Sequence, residues 1–196
     1  ANFAYAPLEV YKPVILRFSL AADWMAKGHT FESALALLGA LQGAGALAGG
    51  ILVSTWGGLR ERRVYGVIVP LVAAGVFQVL FGISSAFYLS AAMLFLIGAS
   101  MPVMNAHSQA IWQTQTPPSL QGRIFAFRRV IAQSTGPIGT ALAGWAGGIF
   151  NPGGILVLLG VLSAAFAASQ CLNRTLLAVD ESAAPGLKTP QLPSEI

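Results

Sequence analysis

Charge is scarce in this sequence, and its scarcity excludes most classes of soluble protein. Only 9% of the 196 residues are Asp, Glu, Lys or Arg, whereas 55% are hydrophobic. Soluble globular domains carry about 25% charged residues, so eleven basic and seven acidic side chains cannot cover a soluble body of this size. The apolar content also excludes a disordered chain, and the single cysteine, Cys171, excludes a disulfide scaffold. The class that remains is a polytopic membrane protein.

The few charges leave three long runs without any. No Asp, Glu, Lys or Arg occurs in residues 33–59, 64–122 or 130–173. Because about 20 apolar residues cross the hydrocarbon core as a helix, the runs hold roughly one, two and two crossings. A further apolar segment at 2–24 carries charges and two prolines. The sequence therefore predicts an all-α membrane helix bundle of about six transmembrane helices over residues 1–172, followed by a disordered tail over 173–196.

The basic residues predict the orientation of the bundle. Arg62 and Arg63 follow the second apolar segment, Arg123 follows the fourth and Arg174 the sixth, whereas the opposite loops carry mainly Lys27. Cytoplasmic loops are enriched in Lys and Arg. We therefore expect the arginine-bearing ends and the C-terminus to face the cytoplasm of a cell membrane, and we interpret the net charge of +4 as a topology signal.

Polar side chains inside apolar segments are costly and indicate function. Glu9 and His107 are the candidates for proton coupling. The alternatives are a neutralised pair of Glu9 with Lys12, three residues away on the same helix face, and a hydrogen-bonded interior histidine. Asn105, Gln109 and Trp112 form one polar stripe through their spacing. The full set of candidates for a substrate pathway is Asn2, Tyr5, Glu9, Gln42, Gln78, Asn105, Gln109, Trp112 and Gln133.

Small residues recur at the spacing that lets membrane helices approach closely. The pairs are Gly39/Gly43, Gly45/Gly49 and Gly144/Gly148, and either static packing or helices that slide during a conformational cycle explains them. Gly136 and Pro137 predict a helix kink, which is either tolerated or a pliable point.

No motif in the sequence points to catalysis. It contains no HExxH, no paired cysteines, no P-loop and no nucleophile elbow. We therefore expect no enzyme activity, no cofactor, no metal site and no nucleic-acid partner.

The stretch Trp56–Arg63, WGGLRERR, resembles the basic loop between the second and third helices of each half in the major facilitator superfamily. The pattern of that loop is Gly-x-Leu-x-Asp-Arg followed by Gly-Arg. Gly57, Leu59 and Arg62 match it, Glu61 replaces the aspartate, and a valine stands where the later glycine would be. The resemblance implies that this loop is a conformational gate. The alternative is that its arginines are only topology signals. The gate residues are Gly57, Leu59, Glu61, Arg62 and Arg63, with Gly122 and Arg123 in the mirrored loop.

Residues 105–148 resemble the helix 10 to helix 11 region of the macrolide-efflux and enterobactin-exporter branch of that family. Residues 1–10 are similar to the middle of helix 7, so the first helix is expected to be truncated at its start. Together these resemblances imply the C-terminal half of a twelve-helix transporter. The residues that carry the longer match are Gln109, Pro117, Gln121, Gly122, Arg123, Phe125 and Gly144.

Two classes of function remain open. The resemblance implies a secondary transporter that exports a small molecule, such as a drug or a siderophore, by alternating access with proton coupling. Its partners are then the lipid bilayer, the small-molecule substrate, and a missing N-terminal six-helix half or a second copy of the chain. The alternative is a non-transporting or degenerate membrane half-module that packs with a partner half.

Overall fold

The computed structural model describes residues 2–59 and 62–173, and every regular element in those ranges is helical. The prediction for Glu61 and, within the tail predicted over 173–196, that for residues 174–196 fall outside the described residues, as does the side chain of Asn2. The elements are α1 (Asn2–Phe18), α2 (Ala21–Ala26), α3 (Phe31–Trp56), α4 (Tyr65–Ile83), α5 (Phe87–Gln115), α6 (Gln121–Gly147) and α7 (Pro152–Ser169), with a 3-10 turn at Gln170–Leu172.

Four of these helices are long and apolar enough to cross a membrane: α3, α4, α5, and α7 together with its 3-10 turn. The all-α prediction is thus confirmed in the described residues, and four of the six expected crossings have the length and hydropathy of a span. The other two long helices are more polar. α1 carries three charged residues within 17, and α6 carries three arginines in its first third.

Local sequence signals fix the ends of α3. Thr30 Oγ1 accepts the Ser33 N–H at 3.2 Å, and Ser33 Oγ accepts the Thr30 N–H at 2.9 Å. This reciprocal capping box satisfies two donors at the start of the helix. At the other end Gly57 has a φ of 78°, in the left-handed region that glycine adopts without strain, and it ends the helix.

Glycine contacts bring α3 and α5 together in parallel. A Cβ on Gly45 would overlap the carbonyl oxygen of Phe95, and a Cβ on Gly49 would overlap that of Ala99. Gly98 on α5 lies equally close to the backbone of α3. The predicted small-residue pair Gly45/Gly49 is therefore a packing face.

A second glycine contact joins α4 and α7 in antiparallel directions. A Cβ on Gly75 or on Gly160 would lie 2.7 Å from the carbonyl oxygen of the other residue, and Gly82 faces Gly153 in the same way. Gln78 lies between these two contacts, and its Nε2 donates to the carbonyl of Leu156 at 3.2 Å.

The third helix pair is α1 with α6, which run parallel. The hydroxyl of Tyr11 donates to the carbonyl of Ala143 at 2.6 Å. Nearer the start of both helices, Gly139 packs on the backbone of Phe3. α6 runs without interruption through Gly136 and Pro137, so these two residues do not end the helix. All three pairs have the relative directions expected of long helices that alternate in direction along the chain.

The buried core lies at the end of the bundle that holds α2. Tyr11, Leu16 and Phe87 are almost fully buried there. The indole N–H of Trp24 donates to the carbonyl of Leu16 at 2.9 Å, and Asp23 Oδ2 accepts the backbone N–H of Phe87 at 2.6 Å. The short helix α2, which the sequence did not predict, therefore ties α1 to the start of α5.

We call the opposite end of the bundle, which holds Arg62 and Arg128, the arginine end; Arg17, in the last turn of α1, lies at the α2 end. His107, near the end of α5, contacts the loop after α3 and the start of α4. The next residue of α5, Ser108, accepts a hydrogen bond from Arg128 of α6 at 2.7 Å. The loops before α4 and before α6 therefore lie at the same end of the bundle, and α5 contacts the first loop through His107 and α6 through Ser108.

Candidate functional site

Four polar side chains converge between α1 and α3. Lys12 Nζ donates to Glu9 Oε2 and to Gln42 Oε1, both at 2.7 Å. Gln42 Nε2 in turn donates to Glu9 Oε1 at 2.7 Å and to the hydroxyl oxygen of Tyr5. We call this set, Tyr5, Glu9, Lys12 and Gln42, the α1–α3 polar cluster.

Because the α1–α3 polar cluster is partly buried, its side chains depend on one another for hydrogen bonds. Lys12 and Gln42 are each only 8% exposed, while the Glu9 side chain is 46% exposed. A buried ammonium is costly unless it is paired and hydrogen-bonded. Lys12 meets both conditions, because one carboxylate oxygen and one amide oxygen accept hydrogen bonds from its ammonium group. The Gln42 amide completes the arrangement by using its oxygen toward Lys12 and its nitrogen toward Glu9.

A cavity of 350 Å³ borders the α1–α3 polar cluster. Gly39 and Gly43 of α3 form part of its wall, and a Cβ at either position would meet nothing within 4 Å. The Gly39/Gly43 pair has the same spacing as the Gly45/Gly49 pair but a different role. It leaves room for the cavity, whereas Gly45 and Gly49 pack against α5. Gly98 and Met101 of α5 complete the opposite side. A polar network beside a cavity can exchange its internal bonds for bonds to a ligand.

The structure thus brings together three of the predicted pathway residues, Tyr5, Glu9 and Gln42. The pairing of Glu9 with Lys12, which the spacing on one helix face suggested, is present at 2.7 Å. Sequence reasoning treated Lys12 only as a partner of Glu9, although its contact with Gln42 makes it the centre of the cluster. The central role of Lys12 could have been suspected from the sequence, because this lysine lies in a helix whose neighbouring positions are mostly apolar.

The polar stripe of α5 lies elsewhere. Asn105 and Gln109 line a cavity of 730 Å³ between α5 and α6. Trp112 lies beneath the guanidinium of Arg128, which is 5.3 Å from the centroid of the indole ring. Arg128, which the sequence analysis did not single out, contacts two members of the stripe here.

Two other predicted pathway residues lie apart from both cavities. Gln78 is buried between α4 and α7, where its amide donates to a backbone carbonyl. Gln133 is exposed on α6. Neither side chain has a contact with the α1–α3 polar cluster among the described residues.

His107 connects α5 to the loop after α3. Its Nε2 accepts the backbone N–H of Leu59 at 2.8 Å, and its Nδ1 lies 2.7 Å from the carbonyl of Val103. An imidazole with Nδ1 protonated and Nε2 free satisfies both contacts. The ring is 3% exposed and packs against Gly58 and Gly66, where a Cβ would collide with it.

The remaining loop residues of the proposed gate take unusual backbone conformations. Gly57 and Gly58 have φ values of 78° and 70°, and Arg62 has a φ of 55°, which is uncommon for a residue other than glycine. Leu59 is held by His107. Gly122 lies on the cavity between α5 and α6, where Arg123 does not contribute to the wall.

Comparison of the chain with protein-family models, with curated proteins and with solved structures finds no match in any of the three. Groups of three or more His, Cys, Asp or Glu able to hold a metal ion do not occur among the residues that the structure describes.

Proposed function

We propose that this chain is one half of a secondary membrane transporter of the major facilitator type, and that it exports a small molecule by alternating access with proton coupling. The observation that carries this proposal is the α1–α3 polar cluster beside a glycine-walled cavity. Ionisable groups within membrane helices commonly belong to ion or substrate pathways. The resemblance of the loop Trp56–Arg63 to the facilitator loop supports the same proposal.

The cluster suggests how coupling would work. In the arrangement observed, Glu9 neutralises Lys12, and Gln42 joins both. A proton delivered to Glu9 removes the negative partner of Lys12, and the ammonium then requires another acceptor. A substrate with an acceptor group in the neighbouring cavity meets that requirement. Proton binding and substrate binding are linked in this way through a single side-chain network.

The shape of the bundle also supports the proposal. The core is closely packed around α2, whereas α5 and α6 diverge at the arginine end and leave a cavity between them. A half that is closed at one end and open at the other fits one of the two states that alternating access requires. In this proposal α1 and α6 cross the membrane as well, the arginine end faces the cytoplasm of a cell membrane, and a second six-helix half or a second copy completes the cavity.

A transport assay with two glutamate variants tests the proposal. Cells producing the protein are loaded with a panel of fluorescent drugs and iron-chelating compounds, and accumulation is measured with and without an uncoupler. We expect reduced accumulation that the uncoupler abolishes. Glu9→Gln should lose this effect, and the matched variant Glu32→Gln, which makes the same change at an exposed position, should keep it.

The opposite results are equally definite. If accumulation does not change for any compound while the protein is present in the membrane, the chain is a non-transporting half-module. If Glu9→Gln transports as well as Glu32→Gln, the cluster has no role in coupling. Reporter tags beside Arg62 and Lys27 test the topology separately, since they should appear on opposite sides of the membrane.

A further inference from the structure

The cavity between α5 and α6 lies apart from the α1–α3 polar cluster, which carries the proposed coupling. Its volume is 730 Å³, within the range of about 300–1,000 Å³ typical of ligand pockets. Its polar wall consists of Asn105, Gln109 and Gln113 from α5, with Arg128 and Arg129 from α6. The two helices are consecutive in the chain, but they diverge here, and Arg128 bridges the gap between them.

Arg128 is held in a fixed orientation. Its Nη2 donates to Ser108 Oγ at 2.7 Å, its Nη1 donates to Gln109 Oε1 at 3.4 Å, and the guanidinium stacks over Trp112. These contacts use part of the donor set of the guanidinium, which has five N–H groups in a rigid fork. An arginine that is already ordered loses little conformational freedom when its remaining donors bind an anion.

Among the residues that the structure describes, no carboxylate lines this cavity. Residues 62–173 contain no Asp or Glu. The ion pairs found among the described residues, Glu9 with Lys12 and Asp23 with Lys27, lie elsewhere in the bundle. Two arginines that line one cavity without a carboxylate require an external anion or water to neutralise them.

We propose that this cavity binds a phosphate group, carried either by an anionic lipid headgroup or by a soluble phosphate ester. The arginine fork suits the oxygens of a carboxylate or of a phosphate. The wall also supplies amide donors from Asn105 and Gln113, and the Gln109 amide nitrogen is free to donate because its oxygen accepts from Arg128. So many donors match the three or four oxygens of a phosphate better than the two of a carboxylate.

Binding measurements on the purified full-length chain test this inference without any transport step. The protein in detergent is titrated with short-chain phosphatidylglycerol, with zwitterionic phosphatidylcholine, and in a separate arm with glycerol 3-phosphate. Native mass spectrometry counts the bound molecules, and the shift in thermal unfolding gives the affinity. Preference for phosphatidylglycerol over phosphatidylcholine identifies a lipid site, and saturable binding of glycerol 3-phosphate identifies a soluble ligand.

Variants separate a built site from general attraction to arginines. Loss of a charge-assisted hydrogen bond weakens binding by about tenfold or more, so we expect that loss for Arg128→Gln and an intermediate loss for Arg128→Lys, which keeps the charge but not the fork. Arg129→Gln, at an exposed position, provides a second test if Arg128→Gln does not fold. The matched control is Arg123→Gln, because that arginine lies on the same helix but not on the cavity.

The inference is overturned if Arg123→Gln weakens binding as much as Arg128→Gln and Arg129→Gln. It is also overturned if neither phosphatidylglycerol nor glycerol 3-phosphate binds more tightly than phosphatidylcholine. Failure of this inference and failure of the proposed function are distinguishable, because the first is measured as ligand binding to arginine variants and the second as transport by Glu9→Gln and Glu32→Gln.

Discussion

Alanine substitutions at four glycines of α3 should have opposite effects on stability. Gly45 and Gly49 face the carbonyl oxygens of α5 so closely that an added Cβ overlaps them, whereas a Cβ at Gly43 or Gly50 meets nothing within 4 Å. All four positions lie within one helix, so helix propensity is nearly the same for each. The contact with α5 is therefore the variable that differs.

The magnitudes follow from two separate effects. Forcing an extra methyl into a packed contact costs about 1–3 kcal/mol, and at Gly45 and Gly49 the obstacle is backbone, which cannot rotate away. At Gly43 and Gly50 no atom obstructs the added methyl, so only the change in backbone conformational entropy matters. Replacing glycine with alanine inside a helix stabilises it by about 0.5–1 kcal/mol. We expect Gly45→Ala and Gly49→Ala to lower the free energy of unfolding and the other two variants to raise it.

Thermal unfolding in a single detergent measures the difference. For a chain of this size each kcal/mol corresponds to about 2–4 °C in the unfolding midpoint. The four variants should therefore fall into two groups, with Gly45→Ala and Gly49→Ala below the parent protein. If all four variants unfold at the same temperature, the close parallel packing of α3 on α5 is wrong.

Two further predictions concern the connections at the two ends of the bundle. Replacing His107 with Phe keeps a ring in place but removes the acceptor for the Leu59 N–H, so stability should fall by about 1–3 kcal/mol and hydrogen exchange should rise in the loop after α3; unchanged exchange there would contradict the contact. At the other end, hydrogen bonds from Lys27 and from the Phe87 backbone lower the pKa of Asp23 below its ordinary value of 3.8. Ionised Asp23 therefore stabilises the fold above that pH, and the contribution is lost as the pH falls through the lowered pKa. Asp23→Asn should be less stable than the parent at pH 7, and the gap in unfolding temperature should close in acid; a gap that is constant with pH would refute this.

The sequence predicted the helical elements well because their signals are local. The charge-free runs contain the long helices α3, α4, α5 and α7, and Thr30 and Gly57 mark the ends of α3. The short helix α2 was missed, since most of it lies within the apolar segment 2–24 and its separation from α1 depends on tertiary contacts. Asp23 and Trp24 supply those contacts.

The candidate site was predicted only in part, because spacing along one helix does not specify what the helix faces. Glu9 and Lys12 were paired correctly from their spacing of three residues. The addition of Gln42 needed the position of α3 relative to α1. In the same way, the Gly39/Gly43 and Gly45/Gly49 pairs are alike in sequence, yet one borders a cavity and the other packs on α5.

Arg128 illustrates a different difficulty. An arginine next to an apolar run fits the rule for cytoplasmic loops, and that rule explains its presence without any contact. Its interactions with Ser108, Gln109 and Trp112 come from residues about twenty positions earlier in the chain. No periodic pattern within one helix connects these positions, so the sequence offered no sign of the bridge.

The antiparallel contact of α4 with α7 has a consequence for biogenesis. The facing glycines of α4, Gly75 and Gly82, find their partners Gly160 and Gly153 only on a helix that leaves the ribosome after α5 and α6. If α4 crosses the membrane, as proposed, its glycine face therefore lacks its helix partner until α7 has been synthesised. Nascent chains that stop before α7 should then be the ones most readily captured by membrane quality-control proteases.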